Sequence, residues 1–108
     1  MIEKPTIELV FDPECPNVGR AREAIREALT VIGASPVWRE WDRGDPGTPS
    51  ALRELGSPSV LVNGRDVGTA SGTLATADAN SCRIYVDECG CLGGAPSAQV
   101  ILDAIAKA

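Results

Sequence analysis

Four cysteines, Cys15, Cys82, Cys89 and Cys91, carry the most distinctive chemistry in a 108-residue chain that has no histidine. Without histidine there is no Ser-His or Cys-His catalysis, no imidazole general base and none of the commonest zinc ligand. What remains is thiolate chemistry: attack on a disulfide, or ligation of a soft metal. Cys15 lies in the loop Pro13-Glu14-Cys15-Pro16-Asn17, where a helical period begins. The unpaired N–H groups and positive dipole end of a helix start favour a thiolate. Glu14 works against it by placing a second negative charge alongside. The plainer reading makes Cys15 a small buried hydrophobe, the usual place for an unbridged cysteine. Asn17 is suited to hydrogen-bond a thiolate or to cap the helix.

Cys89 and Cys91 form a Cys-x-Cys pair in the Gly-rich stretch Cys89-Gly90-Cys91-Leu92-Gly93-Gly94. They could resolve a mixed disulfide on Cys15, complete a soft-metal site with it, close a labile disulfide between themselves, or be incidental. Zinc is poorly signalled, because the usual Cys-x-x-Cys pairs are missing. Cys82 reads as a core cysteine. The glycines at 90, 93 and 94 do not have phosphate-loop spacing and no lysine accompanies them, so nucleotide binding is rejected.

The elements that must position these thiols follow from the periodicity. Thr6 to Phe11 reads as a short buried strand ended by Asp12-Pro13. From Pro16 to Ile32 the period is helical, with Val18, Ala21, Ile25, Ala28 and Ile32 on one face and Gly33 as the stop. Ser35 to Trp41 reads as a second strand, with Trp38 and Trp41 on opposite faces, one in the core and one partly exposed. Arg39 and Glu40 read as solvated charges. Thr48-Pro49 signals a short helix in which the Thr48 hydroxyl caps, with Ala51, Leu52 and Leu55 as its apolar side and Gly56 closing it. Pro58 to Val62 is a third strand ended by Asn63-Gly64, residues 65 to 81 a long loop, and Cys82 to Val86 a fourth strand. Ser97 caps a last helix whose face is Ala98, Ile101, Leu102 and Ile105.

The implied order is βαβαββα, an α/β fold with a mixed four-stranded sheet and helices on both faces, as one domain over residues 1–108. The first two strands should pair in parallel through a right-handed crossover. The last two should pair antiparallel, which would bring the end of the fourth strand, and with it Cys89 and Cys91, to the edge that holds Cys15.

That element order resembles the thioredoxin superfamily, and two sites carry the likeness: Cys15-Pro16 between the first strand and first helix, and Gly56-Ser57-Pro58-Ser59-Val60 leading into the third strand. The chain also resembles a group of small bacterial thioredoxin-like proteins, some labelled as alkylmercury lyase or mercury-related. Its Cys15-Pro16-Asn17, Ser81-Cys82-Arg83-Ile84-Tyr85 and Gly94-Ala95-Pro96-Ser97 match that group. The resemblance implies a cis Pro58 facing Cys15, with the backbone of Ser57 and Ser59 offered to an extended substrate. It departs from the dithiol enzymes at Val18, where their second cysteine stands.

Charge and length bound the partners. Ten basic residues are scattered against fifteen acidic ones, for a net charge of −5, which disfavours nucleic acid. No apolar run reaches the roughly 20 residues of a membrane helix. No basic-then-apolar leader is seen, so a cytoplasmic protein with reduced cysteines is expected. The leading function is a thiol–disulfide oxidoreductase of monothiol type with Cys15 as nucleophile, Pro16, Asn17, Ser57, Pro58 and Ser59 as its substrate contacts, and Cys89, Cys91 or an external thiol as the resolving group. Its partner would be a thiol or disulfide substrate, another protein among the candidates. The alternatives are a soft-metal (mercury, copper or zinc) binding or trafficking module using Cys15, Cys89 and Cys91, and a non-catalytic binding domain.

Overall fold

The computed structural model describes residues 5–68, 83–86 and 92–107. β1 (Ile7–Phe11) is the centre of the sheet, flanked by β2 (Arg39–Asp42) in parallel and by β3 (Ser59–Val62) antiparallel. The expected parallel pairing is therefore present, with α1 (Val18–Val31) between the two strands. Alternation along β1 sorts the side chains. Ile7 and Leu9, with Val60 and Val62 of β3, belong to a core cluster shared with Ala21, Ile25 and Leu29 of α1 and Val100 and Ile101 of α3 (Ala98–Lys107). α1 and α3 pack on each other over that face. The full burial of Leu9, Ile25, Leu29 and Ile101 stabilises the fold by about 2–3 kcal/mol each.

The helix faces follow the 3.6 period with one shift. The buried stripe of α1 ends on Leu29, whereas Ile32 is 42% exposed. The chain has left the helix by then. Gly33 adopts φ +72°, its N–H bonds Thr30 C=O, and Ala34 N–H bonds Leu29 C=O, which is a Schellman stop. At α3 the Ser97 hydroxyl accepts from Val100 N–H at 3.3 Å, the expected cap.

β2 starts later than the alternation suggests. Pro36 has no N–H to give a ladder, and Val37 N–H turns back to Ser35 C=O at 2.8 Å. Trp38 and Trp41 are both half-buried, and Trp38 packs against the core cluster. Trp38 donates to Glu40 and Trp41 to Glu8, and Glu40 also takes a bidentate pair from Arg22. Glu40 is thus tied to α1 rather than merely solvated. The short helix α2 (Ser50–Arg53) is one turn long, and Thr48 does not cap it. The Thr48 hydroxyl instead donates to Asp42 C=O at 2.6 Å, closing the loop after β2.

The fourth strand is the main correction. Asn63 and Gly64 both have positive φ, +50° and +83°, the geometry of a two-residue hairpin turn. They fold β4 (Arg65–Asp66) back onto β3, giving the sheet order β2-β1-β3-β4. The sheet is mixed and four-stranded as expected, but its last place is filled by residues assigned above to a loop. The 82–86 segment arrives too late to take it. β5 (Tyr85–Val86) pairs antiparallel with β6 (Leu92–Gly93) in a separate two-stranded sheet. No helix of the described residues is long and apolar enough to cross a membrane.

Candidate functional site

Asp12-Pro13-Glu14-Cys15 forms the turn after β1. Cys15 N–H donates to Asp12 C=O at 2.9 Å, and Pro13 occupies the position where its fixed φ suits such a turn. Two contacts hold this turn. The Asp12 carboxylate meets Arg43 at 2.7 Å, and the Arg43 guanidinium also reaches Arg53 C=O at the end of α2. On the other side, Asp12 N–H donates to the Ser57 hydroxyl at 2.9 Å. Ser57 and Cys15, 42 positions apart in sequence, are therefore linked through Asp12.

Cys15 is 9% exposed and packs with Val18 and Ala21 in the core cluster. It lies outside α1, which begins at Val18 with Asn17 as its cap residue, so the helix start is two residues later than Pro16. The dipole falls off within one turn, and Cys15 receives less of it than its place in the sequence suggests. Asn17 makes no side-chain cap bond. Its amide instead lies against the backbone of Gly94, in the space a Cβ there would fill. A shallow hollow of about 370 Å³ is lined by Asp12, Pro13, Glu14 and Cys15. A larger one of about 860 Å³ lies between α1 and the start of α3 and does not include Cys15.

The Ser57–Pro58 peptide bond is cis. Ser57, Pro58 and Ser59 are almost wholly buried, none more than 2% exposed. Their polar groups are turned into the protein. Ser59 Oγ donates to Gly56 C=O at 2.5 Å, Ser57 C=O accepts Arg83 N–H at 2.9 Å, and Pro58 C=O accepts the Tyr85 hydroxyl at 2.5 Å. Of the backbone groups expected to be offered to a substrate, the Ser57 C=O is taken by the chain's own Arg83.

Arg83 and Tyr85 are the site residues that sequence reasoning missed. They alternate, so both point toward the lead-in to β3 while the intervening Ile84 is 39% exposed. Arg83 pairs with Asp66 at 2.7 Å, with side chains 5% and 10% exposed. Burial alone would lower the Arg83 pKa, but the Tyr85 and Asp66 oxygens hold it above the ordinary arginine value. Burial pushes the Tyr85 hydroxyl up to about 12, with the Arg83 hydrogen bond pulling the other way. The Arg83 stem lies on Gly56, where a Cβ would stand 2.6 Å from its Cγ, and among the described residues its Nε has no hydrogen-bond partner. The available signal was the Arg-x-Tyr spacing, which a strand points to one side.

Cys82, Cys89 and Cys91 lie outside the described residues. Among the described residues β4 is the strand beside β3 at its Val62 end, and Tyr85–Val86 pair with Leu92–Gly93, so the strand pairing from which Cys89 and Cys91 were expected near Cys15 is not the one described. It is Arg83, just before Tyr85, that touches the Ser57 end of β3. Among the described residues no three Cys, Asp or Glu side chains form a group that could hold a metal ion. No protein-family model, curated protein or solved structure matches this chain.

Proposed function

We propose that the chain is a thioredoxin-like thiol protein that carries out monothiol thiol–disulfide exchange at Cys15. The observation that carries this reading is the link Cys15–Asp12–Ser57, which ties the turn that holds Cys15 to the residue before the cis Pro58. Two sequence features that are each weak alone are joined by that link. The parallel β1–β2 pair and the antiparallel β1–β3 pair support the same reading.

The exchange is balanced without an oxidant. The Cys15 thiolate attacks one sulfur of a disulfide R–S–S–R, the S–S bond breaks, Cys15–S–S–R forms, and RS⁻ leaves to take up a proton. A second thiolate R′S⁻ then attacks the R sulfur of that adduct. R–S–S–R′ forms and the Cys15 thiolate is restored. Val18 offers no second thiol in the turn, so R′S⁻ comes from elsewhere.

The test is the exchange between bis(2-hydroxyethyl) disulfide and reduced protein, with the adduct located by peptide mass mapping. Wild type should carry it on Cys15, and Cys15→Ser should lose most of the rate. Equal rates in the two proteins would end the proposal.

A further inference from the structure

Recognition of an extended chain by a strand end needs open backbone N–H and C=O groups. At the lead-in to β3 two of the carbonyls are already taken. Ser57 C=O holds Arg83 N–H and Pro58 C=O holds the Tyr85 hydroxyl. The side chains above them leave no room either. Arg83 covers Gly56, and the buried ion pair to Asp66 in β4 fixes it there. Removing one partner of such a buried pair leaves an uncompensated charge, so the cover does not lift off readily.

On the other side of the same link, Cys15 is 9% exposed, and the hollow that reaches it is lined, among the described residues, by its own turn. At about 370 Å³ it is near the lower end of small-molecule sites. We infer that Arg83–Tyr85 takes the place an extended substrate chain would need along Ser57–Ser59, so that the disulfide partner of Cys15 is a small molecule and not an extended polypeptide. This rests on the exchange proposed above and names its substrate class. A small disulfide needs only a path to one sulfur atom. A peptide disulfide must also find room for its backbone beside the bond, and Arg83 and Tyr85 already hold the Ser57 and Pro58 carbonyls.

The experiment compares two disulfides on the intact reduced chain. One is bis(2-hydroxyethyl) disulfide. The other is an unstructured ten-residue peptide whose central cysteine carries a 2-mercaptoethanol cap. Each rate, read as the hydroxyethyl adduct of Cys15 for the small disulfide and as the peptide adduct of Cys15 for the other, is divided by the rate at which N-acetylcysteine forms the same kind of adduct with that disulfide, which removes intrinsic reactivity. The normalised rate for the small disulfide should exceed that for the peptide by roughly tenfold or more, a barrier difference one excluded contact surface readily produces. Normalised rates within about threefold of each other would overturn the inference while leaving the exchange reading intact. A small-disulfide rate unchanged by Cys15→Ser would instead overturn the exchange reading. Asp66→Asn supplies a second arm: loosening the cover should raise the normalised peptide rate more than the small-disulfide rate, and an equal change in both would count against the cover.

Discussion

Replacing Tyr85 by Phe tests the polar cluster beneath the lead-in to β3, and it has two separable readouts. The Tyr85 hydroxyl donates to Pro58 C=O at 2.5 Å and is itself buried. In Tyr85→Phe that buried carbonyl loses this donor, which costs about 1–3 kcal/mol at pH 7. The second readout is alkaline. Tyr85 keeps its proton to about pH 12 in the folded protein, against an ordinary value of 10.0. A group with a raised folded pKa gives its full stabilisation below the unfolded pKa. That stabilisation is lost as pH rises toward the folded one, because the unfolded chain releases the proton first. The loss is about 1.4 kcal/mol by pH 11 and about 2.7 kcal/mol beyond pH 12. Phe has no proton to lose, so the variant lacks this component. Urea unfolding of both proteins at pH 7 and pH 11, followed by Trp38 and Trp41 fluorescence, gives the difference between them. All other titrations cancel in that difference. The variant should be less stable at pH 7, and the gap should narrow by about 1.4 kcal/mol at pH 11. No cost at pH 7, or a gap constant across the range, would refute the argument that Tyr85 is a buried donor to Pro58.

Two further substitutions probe the neighbouring contacts. Asp66→Asn should cost about 3–5 kcal/mol in chemical denaturation, because Arg83 would keep its charge in a buried place. A cost below about 1 kcal/mol would put the pair in the class of exposed ion pairs. Gly94→Ala should destabilise by about 1–3 kcal/mol, since the new Cβ overlaps the Asn17 amide. Adding Asn17→Ala should return most of that loss, and no recovery would mean the crowding lies elsewhere.

The Asn63-Gly64 pair shows how far the sequence could be read. Its type and spacing are the strongest short signal for a two-residue hairpin. Reading it only as the end of a strand left Arg65–Asp66 in a loop and gave their place to the 82–86 segment. From that one step came the strand assigned to the wrong neighbour, on which the expected approach of Cys89 and Cys91 to Cys15 rested; those two cysteines lie outside the described residues. Thr48 failed for a different reason. Thr-Pro before a helix is a sound local signal, but Asp42 C=O competes for the hydroxyl across the loop. Asn17 likewise stands at the cap position, but its amide packs against Gly94 and makes no cap bond.

What the sequence by itself determined is local: the β-branched run of β1, the stripe and glycine stop of α1, the Ser97 cap of α3, and a cysteine in the first turn. Each depends on residues within a few positions of one another, and there propensity and periodicity are enough. What only the tertiary structure decided is which polar groups remain open around Cys15. Ser57, Pro58, Asp66, Arg83 and Tyr85 come from three separate stretches of the chain. Their hydrogen-bonding capacity is shared out only once the sheet order has placed them side by side. A buried backbone carbonyl must be satisfied from somewhere. Here the donors for Ser57 and Pro58 come from Arg83 and Tyr85, some 26 to 27 residues downstream in sequence. No local pattern encodes that choice.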